Sequence, residues 1–131
     1  MSAHAAFRKA VDARDHAGLL ALFRPDAILQ SPVSFKPFEG REAIGQLLGI
    51  LMQVFDEFHY TDELVSPDGC TAGLVFRAQV GTKNVEGLDL LRFDEEGKVR
   101  ELTVMVRPRS ALEALFAAVG SRLAAAAGST T

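Results

Sequence analysis

Hydrophobic positions follow helical spacing in the first and middle parts of the chain and alternate along much of its second half. Phe7, Ala10, Val11 and Arg14 recur at helical intervals, and Asp15 stands where it can cap a second short helix carrying Leu19, Leu20, Leu22 and Phe23, stopped by Pro25-Asp26. Ala27 to Ser31 reads as a short strand ended by Pro32, followed by an irregular loop from Val33 to Gly40 that holds Val33, Phe35 and Phe38. From Arg41 to about Phe55, the positions Ile44, Leu47, Leu48, Leu51, Met52 and Phe55 keep a 3.6-residue period, the best amphipathic helix of the chain. Gly45 and Gly49 lie one turn apart inside it. Each weakens a helix by roughly 1 kcal/mol relative to alanine, a cost that close packing against a sheet or a widened cavity would offset.

Four strand-like stretches follow, His59 to Ser66, Thr71 to Val80, Val85 to Phe93 and Lys98 to Val106. The segments Pro67-Asp68-Gly69, Gly81 to Asn84 and Asp94 to Gly97 between them are rich in residues that accept turn geometry, which predicts a sequential antiparallel meander. Arg107-Pro108-Arg109 ends the last strand. Ser110 can cap a final helix with Leu112, Leu115, Phe116, Val119 and Leu123 on one stripe, and Ala124 to Thr131 is expected to fray. Helices first and hairpins later mean an α+β fold.

Composition narrows the classes. With 131 residues, 48% of them hydrophobic and 24% charged, the chain is long enough to bury a useful core as one domain. The formal charge of −3 comes from interleaved signs with no basic stripe, so no nucleic-acid partner is expected. Cys70 is the single cysteine, no disulfide framework exists, and neither a signal peptide nor a membrane span is read from the sequence. A cytoplasmic location is the expectation.

Asp89 is the residue that asks for chemistry. Alternation puts it on the same face as Leu91 and Phe93, and burying a carboxylate costs several kcal/mol unless it is paired or keeps its proton. Asp89 is therefore either a structural carboxyl, paired with Arg92 or Arg107 or hydrogen-bonded internally, or a functional one. Other chemistries lack their parts. His4, His16 and His59 are scattered without metal-ligand spacing, no Gly-x-Ser-x-Gly elbow occurs, and the Gly81 to Gly87 stretch lacks the phosphate-loop pattern. Neither a metal nor a cofactor is implied.

Ala21-Leu22-Phe23-Arg24-Pro25-Asp26-Ala27, Ser31-Pro32-Val33, the loop to Gly40, the long helix, and Leu88-Asp89-Leu90-Leu91-Arg92-Phe93 with Gly97-Lys98-Val99 resemble the ketosteroid isomerase and SnoaL-like cyclase group. This group shares the cone-shaped fold of nuclear transport factor 2. The resemblance covers about residues 5–107, with an extra helix over 109–127. It implies a curved antiparallel sheet wrapped around a long helix, an apolar pocket at the wide end, and a homodimer formed through the sheet's outer face. In the isomerase, a base aspartate, a tyrosine and a neutral aspartic acid share the reaction. Here the neutral acid matches Asp89, the base matches Ser31 and the tyrosine matches Phe7. Serine at neutral pH takes no carbon-bound proton unaided and phenylalanine has no donor, so steroid isomerisation itself is not expected.

The cyclases of the group are described as using one acid/base aspartate, which leaves Asp89 as the single catalytic candidate of an isomerase, cyclase or hydrolase. Strand alternation together with the resemblance sets the expected pocket wall as Phe7, Ser31, Val33, Leu48, Met52, Leu74, Phe76, Ala78, Leu91, Val104 and Val106. Tyr60 faces either this pocket or a partner. Such an apolar wall suits a small lipophilic molecule bearing a carbonyl. The alternative is a ligand-binding or dimerisation module without chemistry.

Overall fold

The computed structural model describes residues 2–129, and its elements form a curled sheet with helices on its concave side and at its open end. Helix α1 (Ala3–Asp12) is followed by α2 (His16–Ala21), whose cap is Asp15 accepting from the Gly18 amide at 3.0 Å. Strands β1 (Phe23–Gln30) and β2 (Phe38–Glu39) precede the long helix α3 (Arg41–Val54). Strands β3 (Asp56–Val65), β4 (Thr71–Val80), β5 (Lys83–Phe93) and β6 (Val99–Arg107) then form the expected antiparallel meander, and α4 (Arg109–Ser129) closes the chain.

The sheet order is β2-β1-β6-β5-β4-β3, and β1 runs parallel to β6. The sheet is therefore mixed rather than wholly antiparallel, because β1 and β6 are not joined by a turn that would force them to oppose one another. Phe23 was expected at the end of α2, yet it begins β1. Proline disfavours the helical region at the residue before it, and its missing N–H is tolerated where a ladder is interrupted; the β1–β6 register shifts between Phe23 and Ile28, around Pro25.

Inside the curl, β4 directs Ala72, Leu74, Phe76, Ala78 and Val80 inward while Arg77 and Gln79 face solvent. On β5, Val85, Gly87, Asp89, Leu91 and Phe93 share the inner face. Gly87 lies opposite Phe76, and a Cβ there would stand 2.1 Å from Phe76 Cζ, so the missing side chain makes room for the aromatic ring. The α3 glycines are packed too, although against α2 rather than the sheet. A Cβ on Gly45 would meet Leu20 Cδ1 at 2.6 Å, and His16 Nε2 lies 2.7 Å from the Gly45 carbonyl oxygen.

Helix α4 is anchored through Ala111 and Leu115, both buried, and remains helical to Ser129 through the stretch expected to fray. Thr130 and Thr131 lie outside the described residues. Among the described residues, no helix is long and apolar enough to cross a membrane.

Candidate active site around Asp89

Asp89 sits mid-strand on β5, opposite Leu74 on one side and Val104 on the other. It is 8% exposed, which makes it the one buried charged residue among those described. Its partner is Tyr60, whose hydroxyl donates to Oδ2 at 2.7 Å. Tyr60 is the one buried residue of the edge strand β3, with half-buried Phe58 two positions before it and register shifts against β4 on either side. Neither arginine suggested by the sequence pairs with Asp89. Arg92 faces Glu101 at 3.7 Å and Arg107 bonds Glu86 at 2.9 Å.

Burial lifts the Asp89 carboxyl from 3.8 to about 6, against the pull of the Tyr60 hydrogen bond, which favours the charged form. Burial likewise raises the Tyr60 phenol, and the neighbouring carboxylate adds to the effect. Tyr60 thus remains a donor over the working range while Asp89 is the group that titrates. No buried side-chain oxygen or nitrogen among the described residues lacks a partner, and the Tyr60 bond engages Oδ2, so Oδ1 is the oxygen open to the adjoining space.

That space is a cavity of about 180 Å³. Of the residues expected on its wall, Phe7, Leu48, Met52, Tyr60, Phe76 and Val104 line it together with Asp89. Stacked Phe58 and Phe76, with ring centroids 4.8 Å apart, and Phe55, 5.6 Å from each, form an aromatic wall. Asp12 and Arg14 supply the remaining charge, at the end of α1. Arg8 lies over the Tyr60 ring at 5.7 Å from its centroid and pairs with Glu63 and Asp12.

Ser31 and Val33 are elsewhere, along a second, apolar cleft of about 110 Å³ beneath α4. The position matched to the isomerase base is therefore not beside Asp89. Leu74, Ala78 and Leu91 face inward as alternation required but pack in the core without lining either space, since facing the concave side of a curled sheet does not put a residue on the part left unfilled. Val106 borders a shallow groove with Ser34 and Phe35. Phe7 keeps the place expected of it, packed 6.2 Å from Phe23, while the phenol comes from Tyr60 on a different element.

Sequence reasoning missed Val11, Leu19, Leu51, Phe55, Phe58 and Leu102 as lining residues. Leu51 and Phe55 were on the recognised stripe of α3, and Leu102 shares alternation with Val104. Phe58 lies ahead of the strand expected from His59, whereas β3 begins at Asp56 and carries Phe58 two residues before Tyr60. Among the described residues, no cluster of three potential ligands could hold a metal.

Comparison with known proteins agrees with this architecture. A steroid delta-isomerase from Pseudomonas aeruginosa superposes with a TM-score of 0.91 at 37% sequence identity, over 96% of this chain and 92% of that one. A Silicibacter pomeroyi protein with a cystatin-like fold gives 0.86 at 29% identity, over 92% and 84% of the two chains. SalBIII, an epoxide hydrolase/cyclase-like enzyme of pyran ring formation in salinomycin, gives 0.68 at 17% identity over 83% and 90%, a likeness of fold alone. No curated protein sequence matches the chain. The SnoaL-like domain model matches residues 4–102, and with the six-stranded mixed sheet curled about α3 this means that the chain belongs to the SnoaL-like domain family.

Proposed function

We propose that the protein binds a lipophilic, carbonyl-bearing small molecule in the Asp89 cavity and that Asp89 acts on it as an acid or proton shuttle, in an isomerase, cyclase or hydrolase reaction. The observation that carries this reading is the buried Asp89 carboxyl, held at Oδ2 by Tyr60 and open at Oδ1 to an apolar cavity. A carboxyl near 6 supplies both forms close to neutral pH. Protonated, it donates from Oδ1 to a carbonyl oxygen. Ionised, it can take a proton from the carbon beside that carbonyl and return it, with Tyr60 holding the carboxylate in place.

Size supports a ring-sized ligand. A dry cavity of roughly 150 Å³ accommodates benzene, and this one measures about 180 Å³. The likeness to a protein named a steroid delta-isomerase supports a lipophilic ligand, but Phe7 offers no donor and Ser31 no base at Asp89, so a three-group isomerisation is not assigned here. Binding without turnover is the second reading, favoured by Asp89 having Tyr60 as its one hydrogen-bonded side-chain partner among the described residues, with no base beside it. Self-association through the outer sheet face, where Leu64 and Met105 are exposed, belongs to the same proposal and is checked by sedimentation at micromolar concentration.

A thermal-shift screen with aromatic ketones, steroids, terpenoid epoxides and fatty acids, followed by product analysis, tests the function. Ligand at 100 times its dissociation constant should add about 2.7 kcal/mol. Asp89→Asn should abolish turnover with the fold intact; full activity in that variant would remove the catalytic assignment.

A further inference from the structure

We infer that the Asp89 cavity and the cleft beneath α4 are two chambers of one ligand site, which takes an elongated molecule with its carbonyl end at Asp89 and its hydrocarbon end under α4. This rests on the function proposed above and adds the shape of the substrate. The two spaces share Leu51, Phe55 and Val104 as a common wall. Val104 is the residue directly opposite Asp89 on the neighbouring strand, so the partition begins beside the carboxyl. Phe55 is the C-cap of α3, already extended, where the chain leaves the helix. A ligand lying over Val104 needs only these side chains to shift for it to pass from one chamber to the other.

The second chamber presents no polar surface. It fits hydrocarbon and would reject the end of a molecule that carries a polar group. Over it, α4 is unevenly covered, for Phe116 is 60% exposed, Ala111 and Leu115 are buried, and Val119 and Leu123 are half-buried against the core. Gly120 borders the same chamber from the exposed side of α4, and nothing lies within 4 Å of an added Cβ there, so a larger side chain can be placed at the chamber's rim without a clash.

The test is a series of 4-n-alkylacetophenones, from the unsubstituted ketone to hexyl, titrated calorimetrically at pH 5 into the whole chain and into Gly120→Leu. In the natural protein the dissociation constant should fall by about fourfold per added methylene, as for hydrocarbon leaving water. Gly120→Leu adds bulk at the rim of the second chamber while improving helix propensity, and should reduce that gain for the longer members; a melting midpoint at or above that of the natural chain verifies its fold. Flat affinity along the series, or an unchanged slope in Gly120→Leu, overturns the two-chamber site. If acetophenone binds but the series is flat, only this inference fails; if no member binds, the proposed function fails with it.

Discussion

Tyr60→Phe removes one oxygen and leaves the ring contacts with Phe58 and Phe76 in place, so it isolates the bond to Asp89. That bond stabilises the charged form of the carboxyl, and its loss must raise the Asp89 value further. A hydrogen bond to a charged group contributes about 1.5–3 kcal/mol and a neutral one about 1 kcal/mol, and the excess of about 0.5–2 kcal/mol for the charged form should push Asp89 above its present value of about 6. The same number fixes the stability effect. Above pH 8 the variant buries a carboxylate without its donor and should lose about 1.5–3 kcal/mol, whereas at pH 4 the carboxyl is protonated in both proteins and the loss should shrink to the ~1 kcal/mol of a neutral hydrogen bond. Carbon-13 NMR of labelled aspartate gives the titration, and urea unfolding at the two pH values gives the energies. An unchanged or lowered Asp89 value, or a penalty equal at both pH values, would refute the reasoning.

Three further outcomes follow from the same structure. Because burial lifts Asp89 from 3.8 to about 6, the folded state holds the proton more tightly than the unfolded one. That contribution is fully present only below the unfolded value of 3.8 and is lost as pH rises through 6, so stability relative to Asp89→Asn should fall by about 2 kcal/mol between pH 4 and pH 7, measured by urea unfolding of both proteins. Gly87→Ala would drive a Cβ into Phe76 Cζ and to 2.8 Å from the Met105 carbonyl oxygen, and should cost about 1–3 kcal/mol in the guanidinium midpoint. Gly45→Ala meets only the methyl ends of Leu20 and gains helix propensity, so its change in the same assay should be the smaller of the two.

Local pattern carried much of this fold. The periodicity of α3, the turn residues between β3 and β6, and the inward face of β5 all follow from side-chain spacing, and the structure repeats them. What spacing does not encode is long-range pairing. The parallel β1–β6 contact joins segments far apart in sequence, and Phe23 reads as the end of a hydrophobic helix stripe until that partner is known. The same limit governs the site. Asp89 was legible because a charge interrupts an apolar face, but which side of β3 Tyr60 takes depends on its pairing with Phe76 of β4, between two register shifts that local spacing does not encode. Ser31 and Asp89 match one site by motif, yet Leu51, Phe55 and Val104 stand between the spaces they line, a separation that depends on how α3 and α4 fill the cone.

Proton exchange on a bound ketone is the most direct test of Asp89 as a shuttle. Acetophenone in deuterated buffer, followed by proton NMR at its methyl group, reports each cycle in which a C–H bond breaks, the carboxylate takes the proton, and deuterium is returned to the carbon. The natural protein should accelerate this exchange, with the rate rising as pH passes upward through about 6, and Asp89→Asn should slow it by roughly 10²–10⁴-fold. Equal exchange rates in the two proteins would contradict the assignment of Asp89 as the group that moves the proton.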